Sequence, residues 1–405
     1  MSHSAIIAGG SIGGLFAATL LRRAGWEVTV LERSDTELSG RGAGIVTHDA
    51  LNRLIAAAGA TTDDLGVHVE DRVAFAIDDG VVIRRRMPQV VTSWDRVHSL
   101  LRALMPEGAY RLGVNVADYA DRGDRVAVRT AAGETIEADL LVGADGFRSA
   151  VRGQMLPQVQ PVYSGYVVWR ALAAEAELSP EVRAGVFPHF GMFVPTGTQI
   201  VGYPIAGPGN DLRPGHRRYN FVWYVPTPPA ALDDMLTDAE GRRHAISIPP
   251  PLVRDDVVAA GLDLADRILP PAFREILRKS ERPFFTPIYD HLSPVMGQGR
   301  VALAGDAACV ARPHVGMGVT KAACDAEALV RHLGEAPVVQ ALTAYSAERQ
   351  PAARQAMQIA QLLGGMIHQA PAGGLNADGR SNPNAETLLR NTAVVPAPEG
   401  LVPVG

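Results

Sequence analysis

The first 33 residues constrain the fold more than any other stretch. Ser4-Ala5-Ile6-Ile7-Ala8 is a short apolar run with the length of a buried strand, and Gly9-Gly10-Ser11-Ile12-Gly13-Gly14 follows as a turn almost without β-carbons. Leu15 to Ala24 reads as a helix, and Glu27-Val28-Thr29-Val30-Leu31 makes a second strand that ends at Glu32. This is the βαβ arrangement that binds a dinucleotide. The glycines let backbone approach a pyrophosphate at the helix N-terminus, and the terminal acid accepts from ribose hydroxyls. Ser11 stands where the pattern has its middle glycine. A small hydroxyl there still admits a phosphate and can donate to it. The competing reading is a merely structural turn between strand and helix.

A chain of 405 residues holds roughly two to three domains with large cores. Charged residues make up 20% and apolar residues 47%, an ordinary globular composition. The net charge of -5 offers no basic surface for nucleic acid or anionic lipid. Cys309 and Cys324 are its two cysteines, which excludes a disulfide framework or a cysteine-rich metal site, and no metal is expected. The first strand starts too early for a cleavable signal peptide, and no apolar run approaches the ~20 residues of a membrane span. The expected setting is cytoplasmic.

A second glycine-dense loop, Ser39-Gly40-Arg41-Gly42-Ala43-Gly44-Ile45, precedes a helix from Ala50 to Ala58. Val73–Ile77 and Val81–Ile83 flank a hairpin turn at Asp78-Asp79-Gly80, and Trp94 to Met105 reads as a helix. Strands are expected at Val114–Val116, Val126–Val128 and Thr135–Ala138, then in the apolar run Asp139 to Gly143 that stops at Asp145-Gly146. From Tyr163 to Pro226 the pattern becomes β-rich and aromatic. Helices follow, including Pro271 to Arg278; Arg300 to Asp306 is another buried strand; long helices cover Val319 to Leu333 and Tyr345 to Met366. The stretch from Pro371 is expected to be irregular. The implied division is 1–160, a β-rich 161–285, 286–370, and a tail of 371–405.

Three separated motifs in this order carry a resemblance: the N-terminal fingerprint, Gly143-Ala144-Asp145-Gly146-Phe147-Arg148-Ser149, and Gly305-Asp306-Ala307-Ala308-Cys309 with Arg312-Pro313-His314-Val315-Gly316-Met317-Gly318. Together they strongly resemble the FAD-dependent aromatic hydroxylases, the group A flavoprotein monooxygenases, and most of all those that act on hydroxypyridines. The resemblance implies an α/β fold: a Rossmann-type FAD-binding domain, an inserted mixed β-sheet substrate domain and C-terminal helices. It implies FAD contacts at Gly9, Ser11, Ile12, Gly13, Gly14, Glu32, Arg33, Gly44, Ile45, Val116, Asp145, Asp306, Pro313, Gly316 and Gly318. Asp306 would hold the ribityl hydroxyls; the bland alternative is a turn or cap aspartate. Asp145-Gly146 would lie near both FAD and a visiting NADH or NADPH, its alternative being a strand-ending turn. No second βαβ glycine fingerprint occurs, as the family's transient use of the reductant implies. Three positions depart from the family: Cys309 for His, Trp94 for Arg, and Lys321 for a polar residue such as Asn.

The implied chemistry uses O2 and a flavin hydroperoxide to hydroxylate a small electron-rich ring. A hydroxypyridine-type N-heteroaromatic is favoured, with a benzenoid phenol such as a hydroxybenzoate, or a non-catalytic FAD-binding protein, as alternatives. A homodimer is compatible with it. His314, inside the ring-facing loop, is the first candidate for substrate contact or proton relay, followed by His48 after the second glycine loop. Tyr203 on the β-rich sheet and His189 beside Phe187 and Phe190 complete the set; each could equally be a core residue. Trp169, Phe221 and Trp223 belong to core or pocket wall, and alternation does not say which. Arg170 or Arg217 could meet a substrate carboxylate, though a surface place is commoner for such arginines.

Overall fold

Register gathers the motifs. The structure, a computed structural model, describes residues 3–38, 44–368, 383–395 and 401. Ser4–Ala8 pairs in parallel with both Glu27–Leu31 and Leu140–Gly143, and Leu140–Gly143 pairs in parallel with Val301–Leu303. Ala8 lies opposite Leu31 and Gly143, and Gly143 opposite Leu303, so these four strands end level with one another. Gly9, Glu32, Asp145 and Asp306, distant in sequence, therefore emerge at one carboxyl edge, where open α/β sheets bind ligands. Tyr110–Arg111 and Gly297–Gln298 complete a six-stranded sheet. Its core is the continuous apolar runs that the sequence presents, including Ile6, Ile7, Val30, Leu141, Val142 and Leu303.

The first helix runs Ile12–Arg23 and so begins three residues before Leu15, with Gly13 and Gly14 inside its first turn. Poor intrinsic helix formers are required there by close approach. A β-carbon on Gly14 would stand 1.9 Å from the carbonyl oxygen of Gly9, and one on Gly13 would press the Ala322 methyl at 3.2 Å. Ala322 belongs to the helix Gly318–Glu335, which packs along the first helix.

The second sheet has nine strands, with Val162–Ala174, Arg218–Pro226 and Gln199–Ile205 at its centre. Three strands from early in the chain, Gly44–Val46, Val67–Phe75 and Val81–Ser93, extend it at one edge. Strand alternation gives this sheet two different faces. Val167, Trp169, Phe221 and Trp223 turn to the helices Asp255–Ile268 and Pro271–Arg278, where Phe273, Ile276 and Leu277 cover them. These aromatics are thus core. Tyr166, Val168, Val201, Tyr203, Val222 and Tyr224 share the opposite face with Ala360, Leu363 and Ile367 of the helix Val338–His368.

The expectation of an irregular tail needs correction for its described part, which contains the helix Ala385–Asn391. Ala385, Leu388 and Leu389 recur at helical spacing and bury into the second sheet's core. The guanidinium of Arg72, itself fully buried over the Phe190 ring, donates to the carbonyls of Leu389, Thr392 and Ala393. A fixed cation at a helix C-terminus satisfies carbonyls that would otherwise be orphaned. The Ser39–Ala43 part of the second glycine loop lies outside the described residues, as does most of the remaining tail. Among the described residues no helix is long and apolar enough to cross a membrane.

Gly261 lets the Asp255–Ile268 helix approach Trp169, whose ring would lie 2.6 Å from an added β-carbon. Gly261→Leu is expected to overpack this contact and cost about 1–3 kcal/mol. A lowered midpoint in urea unfolding checks it; an unchanged midpoint would show that the helix shifts freely.

Candidate active site

Of the cavities that border the Asp145–Arg148 turn, two are lined by the motif residues. The first, about 250 Å³, is lined by Gly9, Ser11, Glu32, Arg33, Val116 and Asp145, with Trp94 beside them. Ile12, Gly13 and Gly14 contribute the adjoining first helical turn. Ser11 sits at the N-cap of that helix without capping it, and the first turn has no acidic residue. Its amide groups and positive dipole end are left for an anion. Glu32 is buried, with one oxygen accepting from Gly10 N–H and the other from Ser34 N–H, both at 2.8 Å. Each oxygen keeps a lone pair for a hydroxyl donor.

The second cavity, about 510 Å³, lies between the carboxyl edge of the first sheet and the aromatic face of the second. Asp306, Pro313, Gly316 and Gly318 line it from the first sheet's motif loop; Arg170, Tyr203, Val222 and Tyr224 line it from the second sheet, with Gly44 against the Tyr203 ring and Ile45 next to it in the chain. Asp306 is exposed to this cavity yet enclosed by the protein around it; this burial raises its carboxyl pKa, against the pull of Lys321. No described residue hydrogen-bonds its carboxylate. Gly318 faces open space, because an added β-carbon would meet nothing within 4 Å.

Two buried cations fix the turns that carry these groups. Lys321 Nζ donates to the Gly305 carbonyl at 2.8 Å and lies 3.3 Å from Asp325 Oδ2, which in turn accepts from Gly305 N–H at 3.0 Å. Arg349 Nε donates to the other Asp325 oxygen at 2.8 Å. Lys321, the departure noted above, therefore grips the turn before Asp306 while also lining the cavity. Arg152 links the two motif turns by donating to Phe147 O at 2.8 Å and Ala307 O at 3.2 Å. It also stands 3.1 Å from His291 Nε2, which must accept because a guanidinium only donates. Burial, and then Arg152, push the His291 pKa down to about 4. Cys309 is buried beneath the same turn, and its thiol is pushed up to about 11, so it stays protonated and unreactive.

The four candidate side chains do not converge. Tyr203 lines the cavity, stacked on Phe190 at 5.2 Å between ring centres, and makes no hydrogen bond to a described residue. His314 instead lies behind the wall, fully buried. Its Nε2 is 3.0 Å from the Tyr166 hydroxyl, its Nδ1 3.2 Å from Gln199 Oε1, and its ring stacks on Tyr224 at 4.4 Å. The reason is local. Pro313–Val315 forms one 3₁₀ turn ended by Gly316 at φ 60°, which aims Pro313 and Val315 at the cavity and His314 away from it. His48 also lies outside the cavity wall, with Nδ1 2.8 Å from Thr320 Oγ1 and Nε2 3.3 Å from Ala393 O; burial lowers its pKa. His189 is half-buried beyond the sheet, where burial and then Arg84 lower its pKa. Tyr224, Phe147, Tyr289 and Arg312 line the cavity without having been singled out in the sequence. The parity of Tyr224 with Val222 was the available signal.

These features fit FAD: an uncapped helix start for a diphosphate, an unpartnered carboxylate for hydroxyls, and a bare glycine for a flat ring. Comparison with known proteins agrees. An NAD(P)-binding Rossmann-like domain family matches residues 7–82, an FAD binding domain-like family residues 163–290, and an FAD binding domain family residues 285–360. The chain is 32% identical over 326 residues to 2,6-dihydroxypyridine 3-monooxygenase of Paenarthrobacter nicotinovorans, covering 80% of this chain and 81% of that one. It is 27% identical over 355 residues to 6-hydroxynicotinate 3-monooxygenase of Pseudomonas fluorescens, covering 83% and 84%. The solved structure of 2,6-dihydroxypyridine-3-hydroxylase from Arthrobacter nicotinovorans matches with a TM-score of 0.85 at 27% identity, over 94% of this chain and 96% of that one.

Removing one partner of a buried ion pair typically costs about 3–5 kcal/mol. Lys321→Met is accordingly expected to loosen the Gly305 turn and lower the flavin-to-protein ratio of the purified chain; full flavin content would contradict this role for Lys321. A second expectation concerns acid. The His291 pKa falls from its ordinary 6.5 to about 4 on folding. The unfolded chain then binds the extra proton between those values, so stability is complete above pH 6.5 and declines towards pH 4, by roughly 3 kcal/mol in all. His291→Gln should flatten this part of the stability–pH curve, measured by urea unfolding; an unaltered slope would show that His291 does not supply it.

Proposed function

Since this chain belongs to the FAD-dependent aromatic hydroxylases, we propose that the ring it hydroxylates is a small hydroxypyridine. It is an FAD-dependent aromatic monooxygenase that uses NADH or NADPH and O2. FAD, when bound, takes two electrons from the reductant and activates O2, so that one oxygen atom enters the ring and the other leaves as water. In this reading Glu32 and the first turn of the Ile12–Arg23 helix hold its adenosine diphosphate half, and Asp306 its sugar-alcohol chain. The observation that carries the substrate assignment is the pair Tyr203 and Tyr224. Both line the cavity, and neither hydroxyl is hydrogen-bonded to a described residue. Burial pushes both phenols well above their usual range, so they keep their protons and act as donors. Two such donors suit the oxygen atoms of a hydroxylated heteroaromatic ring.

The remaining residues orient and exclude. Phe190, Val201 and Val222 present apolar surface to the ring, and Tyr289 and Phe147 close the wall nearest the Asp145 turn. Keeping water out protects a reactive oxygen and strengthens each polar contact. His314 serves as a positioning residue, since it touches the wall from behind: it stacks on Tyr224, which lines the cavity, and is bonded to Tyr166. The reading includes a cytoplasmic setting and a homodimer, neither of which enters the chemistry.

The test is a panel of hydroxypyridines and hydroxybenzoates, scored for accelerated NADH and NADPH consumption and for a product heavier by one oxygen. Hydroxypyridines are expected to give both signals. Product from hydroxybenzoates alone would overturn the substrate assignment while leaving the family intact.

A further inference from the structure

Two arginines of the second sheet were candidates to meet an acidic substrate group, and the structure separates them. Arg217 is engaged: its guanidinium donates to both oxygens of Glu175 at 2.9 and 2.7 Å. Arg170 forms no hydrogen bond or ion pair with any described residue. It lies on Val162–Ala174 two residues after Val168 and four after Tyr166, so it shares their face, and it lines the second cavity half-buried. The other two cations on that wall are compensated, Arg312 by Asp290 at 3.0 Å and Lys321 by Asp325. Arg170 is therefore the one uncompensated cation among the described residues of the wall, close enough to Tyr203 and Tyr224 to act on both electrostatically.

A half-buried guanidinium without an anion is costly, because it has left water and gained nothing in exchange. Its packing does not explain it either: Val168 and Leu172, at the neighbouring positions of the same parity, show that an aliphatic side chain suits this face. We propose that Arg170 binds an anionic oxygen of the ring substrate, either an ionised ring hydroxyl or a ring carboxylate. The planar fork meets such an oxygen with two parallel donors, which also fixes the tilt of the ring. Where the oxygen is an ionised hydroxyl, the cation holds the ring in the electron-rich form that accepts an electrophilic oxygen. Arg170 is then the specificity residue of the site: it selects acidic rings over neutral ones of the same shape. This rests on the ring-hydroxylating reading above.

Flavin absorbance changes on ligand binding to the holoenzyme test it, using wild type, Arg170→Met and Arg170→Lys at matched FAD content. The probes are 2,6-dihydroxypyridine, 6-hydroxynicotinate and the neutral 2,6-dimethoxypyridine. Arg170→Met should weaken the anionic probe about 10- to 100-fold and leave the neutral one within about twofold, with Arg170→Lys recovering part of the loss. A loss confined to 6-hydroxynicotinate identifies the carboxylate as the partner. A loss for 2,6-dihydroxypyridine that grows with pH identifies the ionised hydroxyl. Equal losses for charged and neutral probes, or no loss, overturn the proposal. Should no probe bind wild type, the substrate class fails but Arg170 is still judged: holoenzyme crystals soaked in bromide must show an anomalous peak against its guanidinium that Arg170→Met removes. Absence of that peak overturns the proposal independently.

Discussion

The carboxylate of Asp325 is the point on which the site depends. It is wholly buried and receives the Gly305 amide, the Lys321 ammonium and the Arg349 guanidinium. Three donors on one carboxylate make a charged cluster that is nearly saturated, which is the condition under which buried charge is tolerated. The effect is geometric. Gly305 is held at φ 60°, a left-handed conformation that favours glycine, and this turn swings Asp306 out of line with its strand and into the cavity. Arg152 then ties this turn to the Asp145 turn through Ala307 and Phe147, so the two motif segments cannot drift apart. The two motif segments are thus joined by polar contacts inside the protein itself.

The two sheets divide the labour through strand parity. On the strand Val162–Ala174, odd positions from Val167 feed a core of aromatics under two helices, while even positions from Tyr166 share the opposite face, on which Arg170 reaches the cavity. One strand thereby anchors the sheet with Trp169 and presents Arg170 next to it. A register slip of one residue would exchange them, burying the cation in the core and turning the tryptophan outward. The paired register of Trp169 with Trp223 and with Phe285 guards against this, because large rings already occupy the core side at that level.

Much of the fold was legible because it follows from local rules. Glycines before a helix, apolar runs of strand length and an acid after the second strand specify the N-terminal unit without reference to anything distant. The level ends of the four parallel strands, and with them the meeting of Gly9, Glu32, Asp145 and Asp306, come instead from pairing between segments far apart in sequence. The catalytic candidates were less legible, for a reason visible at His314. Residue type suggested it, but a single 3₁₀ turn decides whether a side chain faces cavity or core, and sequence spacing does not resolve one turn. Tyr224 escaped, and Arg170 was named without being placed, for the converse reason. Their parity was readable, yet which face of a two-sided sheet holds the cavity depends on helices added later in the chain.

The segment after the Ala385–Asn391 helix gives the cavity part of its wall, through Thr392 and Ala393. Ala393 donates its amide to His314 and accepts from His48 across a separation of 345 residues, and a β-carbon on Gly316 would collide with it at 2.6 Å. Contacts of such long range carry the largest loop-closure entropy and form after the local ones. The cavity is thus completed by a segment that follows both sheets in the chain, as a clasp follows what it fastens. A nascent protein can own the whole nucleotide half of its site and still be incompetent, because the roof over the aromatic guest has yet to arrive.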